Sequence, residues 1–364
     1  MIRHLLLRLV KHVDGFLLTV VGAQILLGLV VLYSASGHGL DKVSSQMANI
    51  MVAASIMWLV ANVPPQHIMR LAVPMYAIGL LLLVGVALFG DVSHGARRWL
   101  HIGVTRIQPS ELMKIAMPLM LAWYFDKYEG SLRLKDFAVA ALILAVPVGL
   151  VAKQPDLGTA LLISASGFFV IFLAGLSWKV LAGLAAAGGA MLPVLWSVMH
   201  DYQRQRILTL IDPSQDPLGT GYHTIQATIA VGSGGIIGKG WLKGTQAHLD
   251  FLPERTTDFI FAVFAEEFGL IGNVLLLLLF MLIIGRGLMI AASAPTMFAR
   301  LLAGSLTLTF FTYAFVNIGM VSGILPVVGV PLPLISYGGT SMVTVLLGFG
   351  ILMSIQTHRK LVQT

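Results

Sequence analysis

The feature that most constrains this chain is its succession of long apolar runs. A helix needs about 20 mostly apolar residues to cross the hydrocarbon core of a bilayer. Lipid offers no partner for free backbone groups, and the runs are continuous rather than alternating, so we predict helices and not a β-barrel. The fold class is therefore an all-α polytopic membrane protein with about ten spans. They are predicted at 16–35, 46–63, 71–90, 108–125, 136–152, 158–175, 177–198, 259–285, 298–324 and 337–357.

Composition agrees with a membrane protein and excludes several other classes. Charged residues are 11% of the chain, whereas soluble domains carry about 25%. The net charge of +7 comes from cations scattered over loops, which argues against a nucleic-acid partner. The chain has no cysteine, so thiol catalysis and cysteine-based zinc sites are excluded.

The loops suggest one membrane domain in a defined orientation. The first run, Phe16 to Tyr33, exceeds the apolar core of about 7–15 residues of a signal peptide, so we interpret it as a retained span. Cations in short loops favour cytoplasmic N- and C-termini. We predict a single domain, 1–364, with a large outer loop at 199–257 between the seventh and eighth spans. Its glycine-rich part, Gly232–Gly240, lacks Walker spacing and is predicted to be a flexible amphipathic loop at the membrane surface.

Asp258 ends this long loop, where the chain re-enters the membrane at the eighth span. An aspartate at a helix start is commonly an N-cap. The functional alternative is a carboxylate at the membrane boundary that acts as a general base, and the sequence alone favours neither. Glu266 and Glu267 follow in the same apolar run, about 12 Å deeper if the helix continues. Acids inside a span are costly and are usually paired or functional.

Glu111 and Lys114 open the fourth span after Gln108 and Pro109. Ser110 is a candidate N-cap, and Glu111 suits the positive end of the helix. Because Glu111 and Lys114 are three residues apart, they share a helix face and can form an ion pair. A capped helix with a neutralised pair is one interpretation. A lysine one turn into a span favours the other, in which the pair lines a cavity.

Asp156, which follows Gln154 and Pro155 at the start of the sixth span, is a third acid at the same membrane depth as Glu111 and Asp258. We interpret the three acids as one constellation at one face. Guanidinium groups suit phosphate because they bind it with two parallel hydrogen bonds. Headgroup anchoring is the alternative role for these arginines. The candidate anion-binding residues in the outer loops are Arg97, Arg98, Arg204 and Arg206.

Taken in order, these motifs resemble the SEDS family (shape, elongation, division and sporulation) over nearly the whole chain. The segments that carry the resemblance are Arg97–Trp99, Gln108–Glu111, Gln154–Thr159, Gly219–His223, Leu252–Phe259 and Pro331–Gly339. Val327–Pro331 and the short N-terminal tail resemble the elongation members better than the division members. Thr256 is a departure, since many relatives have histidine there, and no role is assigned to that position.

The resemblance implies an inverting peptidoglycan glycosyltransferase that polymerises lipid II in the bacterial inner membrane during elongation and rod-shape maintenance. It also implies ten spans and the large loop between spans seven and eight. Asp258 is the implied catalytic residue, and Glu111, Lys114, Asp156 and Gln154 are implied to bind substrate. Implied partners are lipid-linked glycan, a class B penicillin-binding protein and other membrane proteins of the elongation machinery. No cofactor is implied with certainty; a divalent cation, Mg²⁺ or Mn²⁺, is compatible with the substrate pyrophosphate. A lipid flippase or transporter and a non-catalytic scaffold remain as alternatives.

Overall fold

Ten long helices form the body of the protein. The computed structural model describes residues 11–358 except 94–95, 103–104, 200, 213–219, 250 and 253, and leaves out the side chains of some residues within helices and strands. In the described part, seven helices are long and apolar enough to cross a membrane. The long helices are α1 (Gly15–Ala35), α2 (Leu40–Ala61), α4 (Ala72–Phe89), α5 (Pro109–Lys127), α6 (Leu134–Ala152), α7 (Leu157–Leu173), α8 (Trp178–Val198), α12 (Ile260–Ala292), α13 (Met297–Val321) and α14 (Gly339–Thr357).

Shorter elements fill the connections. Three strands between α4 and α5 form an antiparallel sheet of order β1-β2-β3, in a region where the sequence predicted only a loop. The segment predicted as one large loop, 199–257, contains three helices. These elements are α3 (Pro65–Arg70), β1 (Asp91–Ser93), β2 (Ala96–Ile102), β3 (Thr105–Ile107), α9 (Asp201–Ile211), α10 (Thr220–Ser233) and α11 (Thr245–His248).

α13 lies at the centre of the bundle and packs against α5, α7 and α12. The buried share of its most apolar 18-residue window is 72%, against 17% for α2. α2 instead packs closely against α14, and its other side is exposed. A helix that is apolar all round is either buried or faces lipid, and this bundle contains both kinds.

The two faces of the bundle differ. We call the site face the one that carries residues 36–39, 91–93, 96–102, 105–107, 153–156, 254–259 and 322–338. These segments meet there, as shown by the hydrogen bonds from Arg98 to Pro155 O and from Tyr337 N to Thr256 O, both 2.9 Å. On the opposite face the two ends of the described chain meet, where the rings of His12 and His358 stack with centroids 4.2 Å apart.

α12 is broken at Gly269, whose φ of 62° and ψ of −160° interrupt the helix. A glycine-rich segment of turns, residues 232–244, which we call the hairpin, lies against the break. Its backbone groups form hydrogen bonds with the backbone groups of α12 that the break leaves without partners in the helix. Lys239 N and Gly240 N donate to the carbonyls of Glu266 and Glu267. Leu270 N and Ile271 N in turn donate to the carbonyls of Gly235 and Ile236. Irregular backbone at membrane depth is tolerated when other parts of the protein supply such partners.

Glu266 binds both Lys239 of this hairpin and Thr245, the first residue of α11. It is fully buried, and its carboxylate accepts hydrogen bonds from Lys239 Nζ at 2.7 Å, Thr245 N at 2.8 Å and Thr245 Oγ1 at 2.9 Å. Glu267, also buried, accepts a hydrogen bond from Ser34 Oγ of α1. The segment predicted as a flexible amphipathic loop, Gly232–Gly240, is thus hydrogen-bonded to α12, while Ile236 and Ile237 are exposed, as an amphipathic surface segment requires. The segment is a fixed cap on a broken helix, because its glycines allow backbone-to-backbone contact.

Candidate active site

Asp258 lies in a turn, residues 254–259, just before α12. The helix begins at Ile260 and its N-cap residue is Phe259, so the N-cap interpretation of Asp258 is wrong. No hydrogen bond from a described residue reaches its carboxylate, whose Oδ2 lies 3.4 Å from where a Cβ atom on Gly329 would be. Burial raises the pKa of Asp258 to about 6, with a further contribution from Glu254, while Arg98 acts in the opposite direction.

Arg98, on β2, is bound to the residues at the start of α7. Its guanidinium donates to Pro155 O at 2.9 Å, and its Nε lies 3.6 Å from Asp156 Oδ2. Asp156 is the N-cap of α7 and accepts from Thr159 N at 3.2 Å. One carboxylate thus caps a helix and orients the arginine, while that arginine acts electrostatically on Asp258.

Glu111 and Lys114 form the predicted ion pair, with Lys114 Nζ 2.6 Å from Glu111 Oε1. Lys114 is only 4% exposed. Thr344 Oγ1 of α14 donates to the second carboxylate oxygen of Glu111 at 3.0 Å, and Lys114 Nζ lies 5.2 Å from the ring centre of Tyr313 on α13. Three helices therefore meet at this pair. Ser110 is not the N-cap of α5, because the helix begins at Pro109 with Gln108 as its N-cap.

A cavity of about 450 Å³ opens beside Glu111. Glu111 supplies its charged group, Gln108 and Asn49 supply its amides, and apolar side chains form most of the wall. Gln108 Nε2 also lies 3.4 Å from Asp156 Oδ2, which connects the cavity to the Arg98 cluster. The wall residues on the surrounding elements are Asn49, Val52, Met75, Ile107, Leu112, Ile115, Gly339, Thr340, Val343, Thr344 and Leu347.

Two of the predicted binding residues have their described contacts elsewhere. Gln154 is buried, and its amide points at Leu83 O of α4 at 3.5 Å. Arg204 donates to the carbonyls of Trp196 and Ser197 at the end of α8, at 2.9 and 2.8 Å. The predictions for Arg97 and Arg206 concern side chains outside the part that the structure describes. Arg98, Asp156, Glu111 and Lys114 are the predicted residues that the described contacts join, through Gln108, into one region. Asp258 belongs to this region through the electrostatic effect of Arg98 on its carboxylate.

Three residues of this region were missed from the sequence. Tyr313 and Thr344 each stand among apolar neighbours inside a span, and a polar group there is the signal that could have identified them. Gln108 belongs to the motif Gln108–Glu111, but no role was predicted for it. As for metals, no group of three or more His, Asp or Glu side chains suited to an ion occurs among the described residues. The possible divalent cation stays a prediction.

Fold and site together define a polytopic helical membrane protein with paired carboxylates and cations gathered at one face. The family model for the cell cycle proteins FtsW, RodA and SpoVE matches residues 15–361. The chain belongs to this family, the SEDS family, as its motifs predicted.

Sequence relatives include the peptidoglycan glycosyltransferase MrdB of Escherichia coli K12. It is 51% identical over 351 residues, which are 96% of this chain and 95% of that protein. A probable peptidoglycan glycosyltransferase FtsW of Geobacter metallireducens is 34% identical, over 97% of each chain. The higher identity to MrdB, a RodA protein, agrees with the predicted resemblance to the elongation members.

Solved structures give the same fold. A chain from a study of how a peptidoglycan synthase complex coordinates polymerization and crosslinking superposes with a TM-score of 0.83 and 33% identity, covering 96% of this chain and 99% of that one. The rod shape determining protein RodA of Thermus thermophilus superposes with a TM-score of 0.72 and 30% identity, covering 95% and 97%. The predicted polytopic helical fold is thus confirmed, with the addition of the small sheet.

Proposed function

We propose that this protein is a peptidoglycan glycosyltransferase that polymerises lipid II during cell elongation. The names of its relatives support the reaction class. The observation that carries the proposal is the state of Asp258. Its carboxylate receives no hydrogen bond from a described residue, and burial raises its pKa to about 6. A general base is most effective when its pKa lies near the working pH, so that it is ionised yet still basic.

In the proposed reaction, the donor is a growing glycan on a lipid pyrophosphate, and the acceptor is the 4-hydroxyl of an incoming lipid II. Asp258 takes the proton of that hydroxyl as its oxygen attacks the anomeric carbon of the donor. The bond from that carbon to the pyrophosphate oxygen breaks through an oxocarbenium-like state. One displacement inverts the α-linked donor into a β linkage, and the pyrophosphate leaves.

Arg98 is the proposed partner of the leaving pyrophosphate. Its charge already acts on Asp258, and a guanidinium can stabilise the negative charge that grows on a departing phosphate. Asp156 and the Pro155 carbonyl orient this guanidinium. Lys114, held by Glu111 and placed over Tyr313, provides a second cation deeper in the bundle. The cavity beside Glu111, apolar except for its polar end, suits an isoprenoid chain attached to a polar head.

The position of the acids supports an enzyme over a transporter. A transporter site is expected near the bilayer midplane, on broken helices. Here Glu111 lies in the first turn of α5, Asp156 caps α7, and Asp258 precedes α12. All three acids stand where a helix begins at the site face. α12 is broken, but its break is covered by the protein's own hairpin.

Location and partners follow from the same proposal. The protein resides in the bacterial inner membrane as a single domain, with both termini cytoplasmic and the site face periplasmic. A class B penicillin-binding protein cross-links its product, which is supported by the similar structure that was studied in a peptidoglycan synthase complex. The loop segment 199–257 covers the substrate from the periplasmic side.

The test is polymerisation of labelled lipid II by the purified protein, alone and with its transpeptidase partner, with glycan strands resolved on a gel. Asp258→Ala is expected to abolish polymer formation. Asp41→Asn removes an exposed carboxylate in the first turn of α2 and is expected to leave polymerisation unchanged, because it touches none of the proposed groups. Full activity of Asp258→Ala would reject the assignment. Lipid II translocation in sealed vesicles without polymer would favour the flippase instead.

A further inference from the structure

The backbone of the Asp258 turn is held from outside by three hydrogen bonds in a row. Three consecutive carbonyls each accept one hydrogen bond from α13 or from the loop that follows it, residues 322–338. The pairs are Tyr337 N to Thr256 O at 2.9 Å, Ser336 Oγ to Thr257 O at 2.6 Å and Asn317 Nδ2 to Asp258 O at 2.8 Å. These hydrogen bonds hold the backbone of the turn in place, including the carbonyl of Asp258, the residue that carries the proposed base.

Asn317 is the deepest of these anchors. It lies on α13, has no exposed surface, and donates both to Asp258 O at 2.8 Å and to Val330 O at 2.7 Å. Its own Oδ1 is buried and has no hydrogen-bond partner among the described residues. Leaving a buried acceptor unpaired costs about 1–3 kcal/mol. The two hydrogen bonds donated by Nδ2 therefore determine the orientation of the Asn317 side chain, and its Oδ1 is left without a partner among the described residues.

The loop that receives the second bond of Asn317 is itself fixed on two sides. A Cβ atom on Gly28 of α1 would lie 2.7 Å from Leu334 O, and one on Gly158 of α7 would lie 2.6 Å from Val328 O. These close approaches leave the loop no room to shift towards either helix. Ser336 also braces it internally, since its hydroxyl accepts a hydrogen bond from Leu332 N at 2.8 Å.

We infer that Asn317 is a positioning residue for Asp258, with Ser336 in a supporting role. The inference rests on the proposed function, in which Asp258 is the base. Hydrogen bonds donated to a carboxylate stabilise its charge and make it a weaker base. Anchoring the peptide carbonyl instead fixes the direction of the side chain without stabilising its charge. Asn317 and Ser336 therefore set the place of the base while leaving its basicity intact.

The experiment compares steady-state polymerisation by Asn317→Leu and Ser336→Ala with that of the wild type. Leucine keeps the approximate shape of asparagine and removes both donors. Because a misplacement of about 1 Å can cost roughly 100-fold in rate, Asn317→Leu is expected to lower kcat by about that factor. The KM for lipid II should stay within about threefold of wild type. Ser336→Ala, which loses one of three anchors, is expected to lower kcat by roughly tenfold.

Ser305→Ala is the matched control. Ser305 lies on the same helix, is fully buried and donates to Ser166 O of α7 at 2.7 Å. It stands 12 residues from Asn317, about 18 Å along the helix. This variant should lower the unfolding temperature as Ser336→Ala does, with kcat unchanged. A purely structural role for Asn317 and Ser336 would instead make kcat follow the unfolding temperature across all three variants.

Several outcomes would overturn the inference. One is that Ser336→Ala keeps a kcat within twofold of wild type while Asp258→Ala is inactive, and that Asn317→Leu, if it folds, does the same. Another is a raised KM with unchanged kcat, and a third is a loss of kcat in Ser305→Ala equal to that in Ser336→Ala. If Asn317→Leu does not fold, Ser336→Ala decides alone. Full activity of Asp258→Ala is a different failure, since it removes the proposed function itself.

Discussion

Replacing Gly238 by alanine tests whether the hairpin 232–244 caps the break in α12. A Cβ atom on Gly238 would lie 2.1 Å from Glu267 O, a backbone atom that cannot rotate aside. Its φ of +79° adds a strain of about 1–2 kcal/mol for an L residue. To avoid this clash, the hairpin must move away from α12. The hydrogen bonds that Lys239 N and Gly240 N donate to Glu266 O and Glu267 O are then lost. At about 1–3 kcal/mol for each unpaired carbonyl, the total loss is about 3–8 kcal/mol.

The assay is thermal unfolding in detergent, followed by tryptophan fluorescence, with two glycine controls from the same segment. Gly238→Ala should lower the unfolding temperature by about 4–10 °C. Gly235 also has a positive φ, +56°, but a Cβ there meets nothing within 4 Å, so Gly235→Ala should show the strain alone. Gly232 lies in α10 with open space around it, and Gly232→Ala should be neutral or slightly stabilising. Equal unfolding temperatures for Gly238→Ala and Gly235→Ala would refute the capping argument.

Two further predictions concern the site. Because Asp258 has a pKa raised to about 6 and a base must be ionised to act, polymerisation should fall as pH drops through 6. At pH 5 the rate should be about one tenth of its plateau. A flat rate from pH 5 to 8, with fluorescence showing intact protein, would contradict this. Lys114→Met leaves the Glu111 carboxylate without its cation and should lower the free energy of unfolding by about 3–5 kcal/mol. The double variant Lys114→Met/Glu111→Gln should recover most of that stability without restoring activity. Thermal unfolding of both variants measures this, and a double variant as unstable as the single one would show that the ion pair is not the cause.

Much of the helical architecture could be predicted from the sequence. Each predicted span corresponds to a long helix, because continuous apolar length is what a bilayer selects. The ends were less accurate where a helix begins with polar residues. α2 begins at Leu40, six residues before the predicted span at 46, because Asp41 and Lys42 lie outside the apolar run. The break at Gly269 was not predicted. Glu266 and Glu267 mark a polar point in the apolar run there, but two acids beside a glycine do not by themselves show that a helix is interrupted.

The candidate site also contains residues that could be predicted from the sequence and contacts that could not. Glu111, Lys114 and Asp156 could be identified because charges at helix starts in an apolar chain stand out and because i,i+3 spacing pairs two of them. The contacts from Tyr313 and Thr344 could not be predicted. Polar residues are spread around both helices rather than forming one face, so no periodicity indicates which side of α13 or α14 meets α5. Nor could sequence show that Arg204 caps α8, which depends on a local turn.

The broken helix has a consequence for how the protein is assembled. The outer part of α12, Ile260 to Phe268, cannot enter lipid as an independent span, since its last carbonyls would have no partners there. Their partners, Lys239 N and Gly240 N, are synthesised earlier in the chain and must arrive first. Residues 234–271 are therefore expected to form and to open as one cooperative unit. Hydrogen exchange should show the amides of Lys239, Gly240, Leu270 and Ile271 losing protection together, and independent exchange would contradict this cooperative unit.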